Sequence, residues 1–402
     1  MRLIFSLCFL ILFSCESAEQ YKLKQGDYRA LLEVQEGKTL PFNFKVTDAD
    51  QIEIYNADEV ILVDEIEYSS DSIRINFPVY EGYIAGRFEN GIISGGQYIK
   101  ESLDRRVPFS VEYDNNLRFE DVKEPRADIS GIWEMLFTEN DSSTFIAKGI
   151  FNQKDARVTG TIRTTTGDYR YLEGVMDGEE LKLSTFDGAH AFLFTASFDN
   201  DQLSGYFYSG NHYRAAFTAK PNAGYELPDE NSLTFLKEGY DRLEFTFPNE
   251  RGESVSLNDK RYNNKVVVVQ IMGTWCPNCL DESKFYSKYY RDNKDKDIEF
   301  IALAFEYAKT EEKAFEAINR LQDRVDIEYP ILLAQYGSSS KEKAQEKLPM
   351  LNHVLSYPTS IFIDRSGRVR KIHTGFNGPA TGDKYNEFVS EFDSFVNLLL
   401  NE

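Results

Sequence analysis

From about residue 26 to residue 220, apolar and polar residues alternate in short runs. Examples are Leu40 to Val46, Ser72 to Phe77, Thr144 to Phe151, Val158 to Arg163 and Ala191 to Phe198. Turn-forming pairs separate them: Asn90-Gly91, Asp177-Gly178, Asp187-Gly188 and Asp199-Asn200. Alternation with period two, broken by Gly, Asn and Asp, predicts antiparallel strands. No stretch of this region has helical periodicity. The region also repeats. Phe88, Asn90, Ser94, Gly95 and Tyr98 recur as Phe198, Asn200, Ser204, Gly205 and Tyr208, each 110 positions later, and Gly26-Asp27-Tyr28 has an aromatic echo in Gly131-Ile132-Trp133. The pattern predicts a tandem pair of up-and-down β-meanders of roughly eight strands each, about residues 26–118 and 129–220, joined near Pro125. Each meander could close into a small barrel, or the two could share one larger sheet system.

Pro221, Gly224 and Pro228 punctuate a linker over 221–230, and the pattern then changes. From 231 to 402, continuous apolar runs alternate with helical periodicity. Strands are predicted at Arg242 to Phe247, 265–271, Phe300 to Phe305, Tyr329 to Leu333, Ser360 to Asp364 and Val369 to Thr374. Helices are predicted from Pro277 to about Asp292, from the cap Thr310 to about Arg324, over Lys341 to Leu348 and over Asn386 to Leu400. The order β-α-β-α-β-β-α predicts a mixed sheet with helices on both faces. The whole chain therefore reads as multidomain α+β, an antiparallel β-region followed by an α/β domain.

At the start, Arg2 precedes an apolar run from Leu3 to Phe13, eleven residues, too short to span a bilayer as a helix. A basic residue, a short apolar core and a small residue match an export signal over 1–14. Leu12-Phe13-Ser14-Cys15 resembles the lipobox of bacterial lipoproteins, which implies lipidation of Cys15, a tether over 15–25 and a place in the bacterial cell envelope, periplasmic or outer membrane. Cys8 leaves with the signal, so Cys276 and Cys279 remain as the thiols, and no structural disulfide is expected in an oxidising compartment. The formal charge is −21. Removal of residues 1–14, which hold one Arg and no acid, makes it −22. With no basic patch, nucleic acid is not an expected partner. His190 and His212 have no neighbours at ligand spacing and read as strand or surface histidines, so no metal is expected. The many aromatics read as core and cross-strand pairs.

The candidate chemistry lies in Val266 to Cys279, VVVVQIMGTWCPNC. Branched apolar residues predict a strand buried on both faces. Gly273 and Thr274 end it, and Pro277 suits the first position of a helix. Cys276 then sits at the positive end of that helix, where unpaired N–H groups and the helix dipole favour a thiolate. Cys279 lies one turn on, within reach of a disulfide. The pair reads as a redox dithiol that needs no other cofactor.

WCPNC in this element order resembles the thioredoxin fold, and more closely the TlpA/ResA branch of exported thiol–disulfide oxidoreductases, over about residues 225–402. The supporting residues are Gly273-Thr274-Trp275-Cys276-Pro277-Asn278-Cys279, Glu282, and Tyr357-Pro358-Thr359-Ser360-Ile361-Phe362-Ile363-Asp364 with Gly367. The resemblance implies Cys276 as nucleophile, Cys279 as resolving thiol, Pro358 as a cis proline facing them and Trp275 as a shield. It implies substrate contacts at Tyr357 and Thr359. Gly375, after the last strand, is a further candidate substrate contact, in a mobile loop near the active face or in a plain strand-to-helix connection. Thioredoxin's buried Asp, six residues before the first cysteine, is replaced by Gln270, so another base is required. Glu306, ending IALAFE, is the candidate, against an exposed strand-end acid. His353 reads as non-catalytic. The family implies disulfide-bearing envelope proteins as partners, a membrane electron donor of the DsbD/CcdA type, and cytochrome c maturation as one setting. Thiol peroxidase chemistry fits less well, because Val269 and Gly273 stand where that family has Pro and Thr. Copper delivery would want three residues between the cysteines and a ligand histidine. A reading of another class is a ligand- or partner-binding envelope lipoprotein whose dithiol senses redox state.

Overall fold

The structure is a computed structural model that describes residues 22–402 apart from 90 and 141. The export signal and Cys15 lie outside the described residues. The first β-module has nine strands, from Gly26–Glu33 to Arg105–Tyr113, each antiparallel to its neighbour in sequence along two runs. Its last strand returns to the first, with Tyr28 opposite Tyr113 and Leu32 opposite Phe109. The sheet stays open between Glu59–Val63 and Glu65–Tyr68, its two edges. The second module also has nine strands, Gly131–Thr138 to Tyr213–Pro221. Here Thr144–Lys154 pairs with Arg157–Thr164, which closes the sheet into an up-and-down barrel. A two-residue strand, Gly167–Asp168, continues from Arg157–Thr164 beyond the barrel wall. The hairpins that carry the sequence repeat, Tyr83–Glu89 with Ile92–Lys100 and Ala191–Asp199 with Gln202–Ser209, fall at the same place in each module.

The two modules bury their apolar faces differently. The barrel encloses its own core, built on Trp133, Phe137, Leu183, Phe194, Phe207 and Phe217. The inner face of the open module (Tyr28, Phe42, Phe44, Phe77, Tyr98) belongs to one continuous core with the C-terminal domain, and the barrel's outer residues Phe186 and Leu193 join it. Phe186 stacks on Phe42 at 4.2 Å and meets Phe77 and Tyr98 edge-on at 5.3 and 5.2 Å. The Asn56 side chain brackets it, donating to the Phe186 carbonyl at 2.9 Å and accepting from its N–H at 3.2 Å.

The C-terminal domain has a five-stranded sheet of β1 (Val266–Met272), β2 (Ile298–Phe305), β3 (Ile331–Gln335), β4 (Thr359–Ile363) and β5 (Val369–Thr374), in the order β3-β2-β1-β4-β5. β1, β2 and β3 are parallel; β4 and β5 are antiparallel to their neighbours. The helices are α1 (Pro277–Asp292), α2 (Glu311–Val325), α3 (Lys341–Lys347) and α4 (Asp383–Asn401). Thr310 caps α2, accepting from the Lys313 N–H. The strand expected over Arg242 to Phe247 is shorter. Only Thr246–Pro248 is laddered, against Ser254–Ser256, because the turn at Asn249–Gly252 lets three residues pair.

Candidate active site

β1 is buried along its whole length and delivers the chain to the α1 N-terminus. A Cβ on Gly273 would lie 2.4 Å from the Trp275 indole, so the residue there has to be Gly for Trp275 to fold back. Cys276 is the N-cap of α1, with Pro277 next, and its sulfur accepts from the Cys279 N–H at 3.2 Å. Cys276 Sγ also lies 3.3 Å from the Tyr357 carbonyl oxygen, and the Tyr357-Pro358 peptide is cis. Both cysteines are free thiols. Cys276 retains 6% exposure and Cys279 none. Burial, together with the neighbouring Cys276, pushes the Cys279 thiol well above its ordinary range. Attack by Cys279 therefore needs a base nearby.

Two buried carboxyls are at hand. Glu282, on α1, accepts from Gln270 Nε2 at 2.8 Å, Ser360 Oγ at 2.9 Å and Tyr286 Oη at 3.1 Å. Gln270 Nε2 is also 3.4 Å from the Cys279 carbonyl, and its other end accepts from Ser283. The non-ionising residue at the Asp position thus links Glu282 to the backbone of the resolving cysteine. Glu306 is buried too, against the reading as an exposed acid; it accepts from the Thr274 N–H at 2.8 Å and the Thr274 hydroxyl at 2.7 Å. Burial raises both carboxyls to about 7. Sequence reasoning noted Glu282 as a mark of resemblance but gave it no role. Its place three residues after Cys279, one helical turn on, was the available signal.

Trp275 donates to the Phe305 carbonyl and packs edge-on against Tyr357, closing one side of the thiols. Thr359 is wholly buried, and its hydroxyl donates to the Ser356 carbonyl, so it shapes the Pro358 turn and has no surface to offer a substrate. Gly375 donates to the Pro358 carbonyl and is covered by the barrel: at φ +79°, its Cβ would come within 2.8 Å of the Thr166 backbone. The open substrate loop expected there is occupied by the chain itself. His353 and His373 point away, to the Leu233 carbonyl and to Asn231.

The barrel loop after Arg157–Thr164 reaches the dithiol directly. The Asn278 amide, between the two cysteines, donates to the carbonyls of Asp168 and Phe376. Ser356 donates to the Thr166 carbonyl at 2.7 Å. Arg170, buried, ties three modules together: it pairs with Glu59 of the open module, Asp187 of the barrel and Asp281 of α1, and donates to the Pro277 carbonyl. Cys276 opens on a cavity of about 380 Å³ walled by both β-modules and the C-terminal domain. His190 and His212, read as isolated, both lie on its wall, and His190 pairs with Asp187 at 3.2 Å. The shared wall is not visible in the sequence, because the two histidines come to one cavity only through the tertiary fold. Among the described residues no group of His, Cys, Asp and Glu could hold a metal ion.

A buried strand, an N-capping cysteine with its partner one turn on, and a facing cis proline define a thioredoxin-fold domain of the thiol–disulfide oxidoreductase type. Residues 237–387 match the Redoxin family. Thioredoxin-like protein YneN of Bacillus subtilis strain 168 is 29% identical over 140 residues, 35% of this chain and 73% of that protein. The thiol-disulfide oxidoreductase ResA of Halalkalibacterium halodurans is 25% identical over 142 residues, 35% of this chain and 71% of that protein. Among solved structures, a putative thiol:disulfide interchange protein DsbE from Chlorobium tepidum is 20% identical, covering 39% of this chain and 98% of that one at a TM-score of 0.29. A thiol-disulfide isomerase from Corynebacterium glutamicum is 20% identical, covering 41% and 99% at a TM-score of 0.32. The C-terminal domain is TlpA/ResA-like, and the β-modules lie outside the family match.

Proposed function

We propose that the protein is an exported thiol–disulfide reductase of the bacterial cell envelope, held to a membrane by a lipid on Cys15. Its substrates in this reading are disulfides of envelope proteins, with cytochrome c maturation as one setting, and a membrane donor of the DsbD/CcdA type returns it to the dithiol state. The observation that carries the reading is the Cys276 sulfur, capped by the Cys279 N–H and facing the Tyr357 carbonyl. The Cys276 thiolate attacks one sulfur of a substrate disulfide; a mixed disulfide forms and the other substrate sulfur leaves as thiolate. Cys279 gives up its proton to a buried carboxylate, Glu282 or Glu306, and attacks Cys276 Sγ. The substrate's second thiolate leaves, and two electrons have moved from the dithiol to the substrate.

Reduction of insulin and of small disulfides such as oxidised glutathione by the purified chain, compared with Cys276→Ser on each, tests this. Equal rates on every substrate would remove the reductase reading. Cys279→Ala should retain disulfide-linked partners in cells. The second reading, a partner-binding lipoprotein that senses redox state, draws on the enclosure of Cys276 by the β-modules. It requires no turnover, and the same assay separates the two.

A further inference from the structure

The cavity at Cys276 differs in charge from the rest of the molecule. The chain carries a net −21, yet the wall contributed by the open module presents Lys100 and Arg105. Among the described residues neither has a carboxylate within ion-pair distance. Lys100 instead donates to the Ala189 carbonyl. Glu81 and Asp187 are near enough to influence Lys100 but do not contact it, and burial still lowers the lysine to about 8. Burial lowers Arg105 as well. The acid on the wall, Asp168, is already engaged by the backbone N–H groups of Gly378 and Arg170, and Asp187 behind it pairs with Arg170 and His190. Partly desolvated cations with no counter-charge are costly unless a ligand supplies one.

Access is the second observation. The barrel backbone at Thr166 and Gly167 lies against Ser356 and Gly375, beside Pro358, where a folded partner would have to rest. What reaches the sulfur must enter the cavity, and the aromatic rings of Tyr98, Tyr307 and Tyr357 narrow it.

We infer that the cavity selects a disulfide flanked by carboxylates and carried on something slender, with Lys100 and Arg105 pairing the carboxylates while Cys276 attacks the sulfur. The inference rests on the reductase reading. The electron balance is the one given above: one substrate disulfide becomes two thiols, and Cys276–Cys279 becomes the disulfide. The shared chemistry is a carboxylate beside a cystine. Its source is either a free low-molecular-weight disulfide or a flexible acidic segment of a protein.

The test is single-turnover oxidation of the reduced full-length chain by short disulfide-closed peptides, one flanked by glutamates and a matched one flanked by lysines, with oxidised glutathione and insulin alongside. The glutamate peptide should react at least about tenfold faster than the lysine peptide, and its rate should fall with added salt. In the double variant Lys100→Gln/Arg105→Gln the ratio should collapse toward one. In the charge-conserving Lys100→Arg/Arg105→Lys it should persist, which separates loss of charge from loss of fold. Faster reaction of oxidised glutathione than of the glutamate peptide assigns the free small molecule; the reverse assigns the acidic segment. Equal rates for the two peptides, or an unchanged ratio in the Gln variant, would overturn the inference and leave the reductase reading standing. Failure of every substrate, insulin included, would instead sink that reading.

Discussion

The two β-modules start from the same plan and end in different energetic positions. Each is a nine-stranded meander whose last strand returns to its first. In the barrel, Thr144–Lys154 meets Arg157–Thr164, all edges but the short extension are paired, and the apolar face is enclosed. In the open module the seam beside Glu65–Tyr68 stays unpaired, and its apolar face is completed by Phe186 from the barrel wall and by the C-terminal domain. Closure gives a unit its own core; an open sheet must take one from its neighbours. The open module therefore depends on its neighbours for its core, whereas the barrel has its own and also sends a loop to the dithiol.

Excision is the most severe way to break this comparison. The barrel expressed alone, residues 127–221, should unfold in one cooperative transition, whereas residues 22–122 alone should show no cooperative melting by near-UV circular dichroism. Independent melting of the open module would remove the distinction.

Phe186→Ala comes next. It should cost roughly 3–5 kcal/mol by chemical denaturation, because the ring fills the core shared with Phe42, Phe77 and Tyr98. The loss should appear in the docking of the open module, and the barrel's own transition should survive.

Glu282→Gln sharpens the contrast from the C-terminal side, where the buried network is internal to one domain. Glu282 is raised from 4.5 to about 7 on folding. Between those values the folded chain keeps a proton that the unfolded chain has lost, so stability falls as pH rises through the window and levels off above it. The Gln variant should lose that slope, roughly 3 kcal/mol across the window. Its mixed disulfide should also resolve more slowly at pH 7, as read by quenched-flow trapping. An unchanged pH profile would exclude Glu282 as the proton acceptor.

Gly375→Ala has the smallest expected effect. A side chain at φ +79°, 2.8 Å from the Thr166 backbone, should cost roughly 1–3 kcal/mol and loosen the barrel loop over Pro358. Faster proteolysis between residues 164 and 170 would report it, and unaltered protection would mean the loop is held elsewhere, at Asn278 and Arg170.

The sequence by itself determined the elements and the reacting atoms. The limits of α1, the Thr310 cap, the buried β1 and the dithiol at its end follow from contacts a few residues long: apolar period, capping and the fixed geometry of Pro. Glu306 was legible as a strand-end carboxylate, though not its bonds to Thr274. Tertiary structure alone decided that one meander closes and the other does not, that Gly375 and Thr359 are covered, that Gln270 links Glu282 to the Cys279 backbone, and that Lys100, Arg105, His190 and His212 line the cavity at Cys276. Those outcomes depend on which strand edges meet and which faces dock. Residues more than a hundred positions apart settle that by burying surface and pairing charge together, and no local period records it.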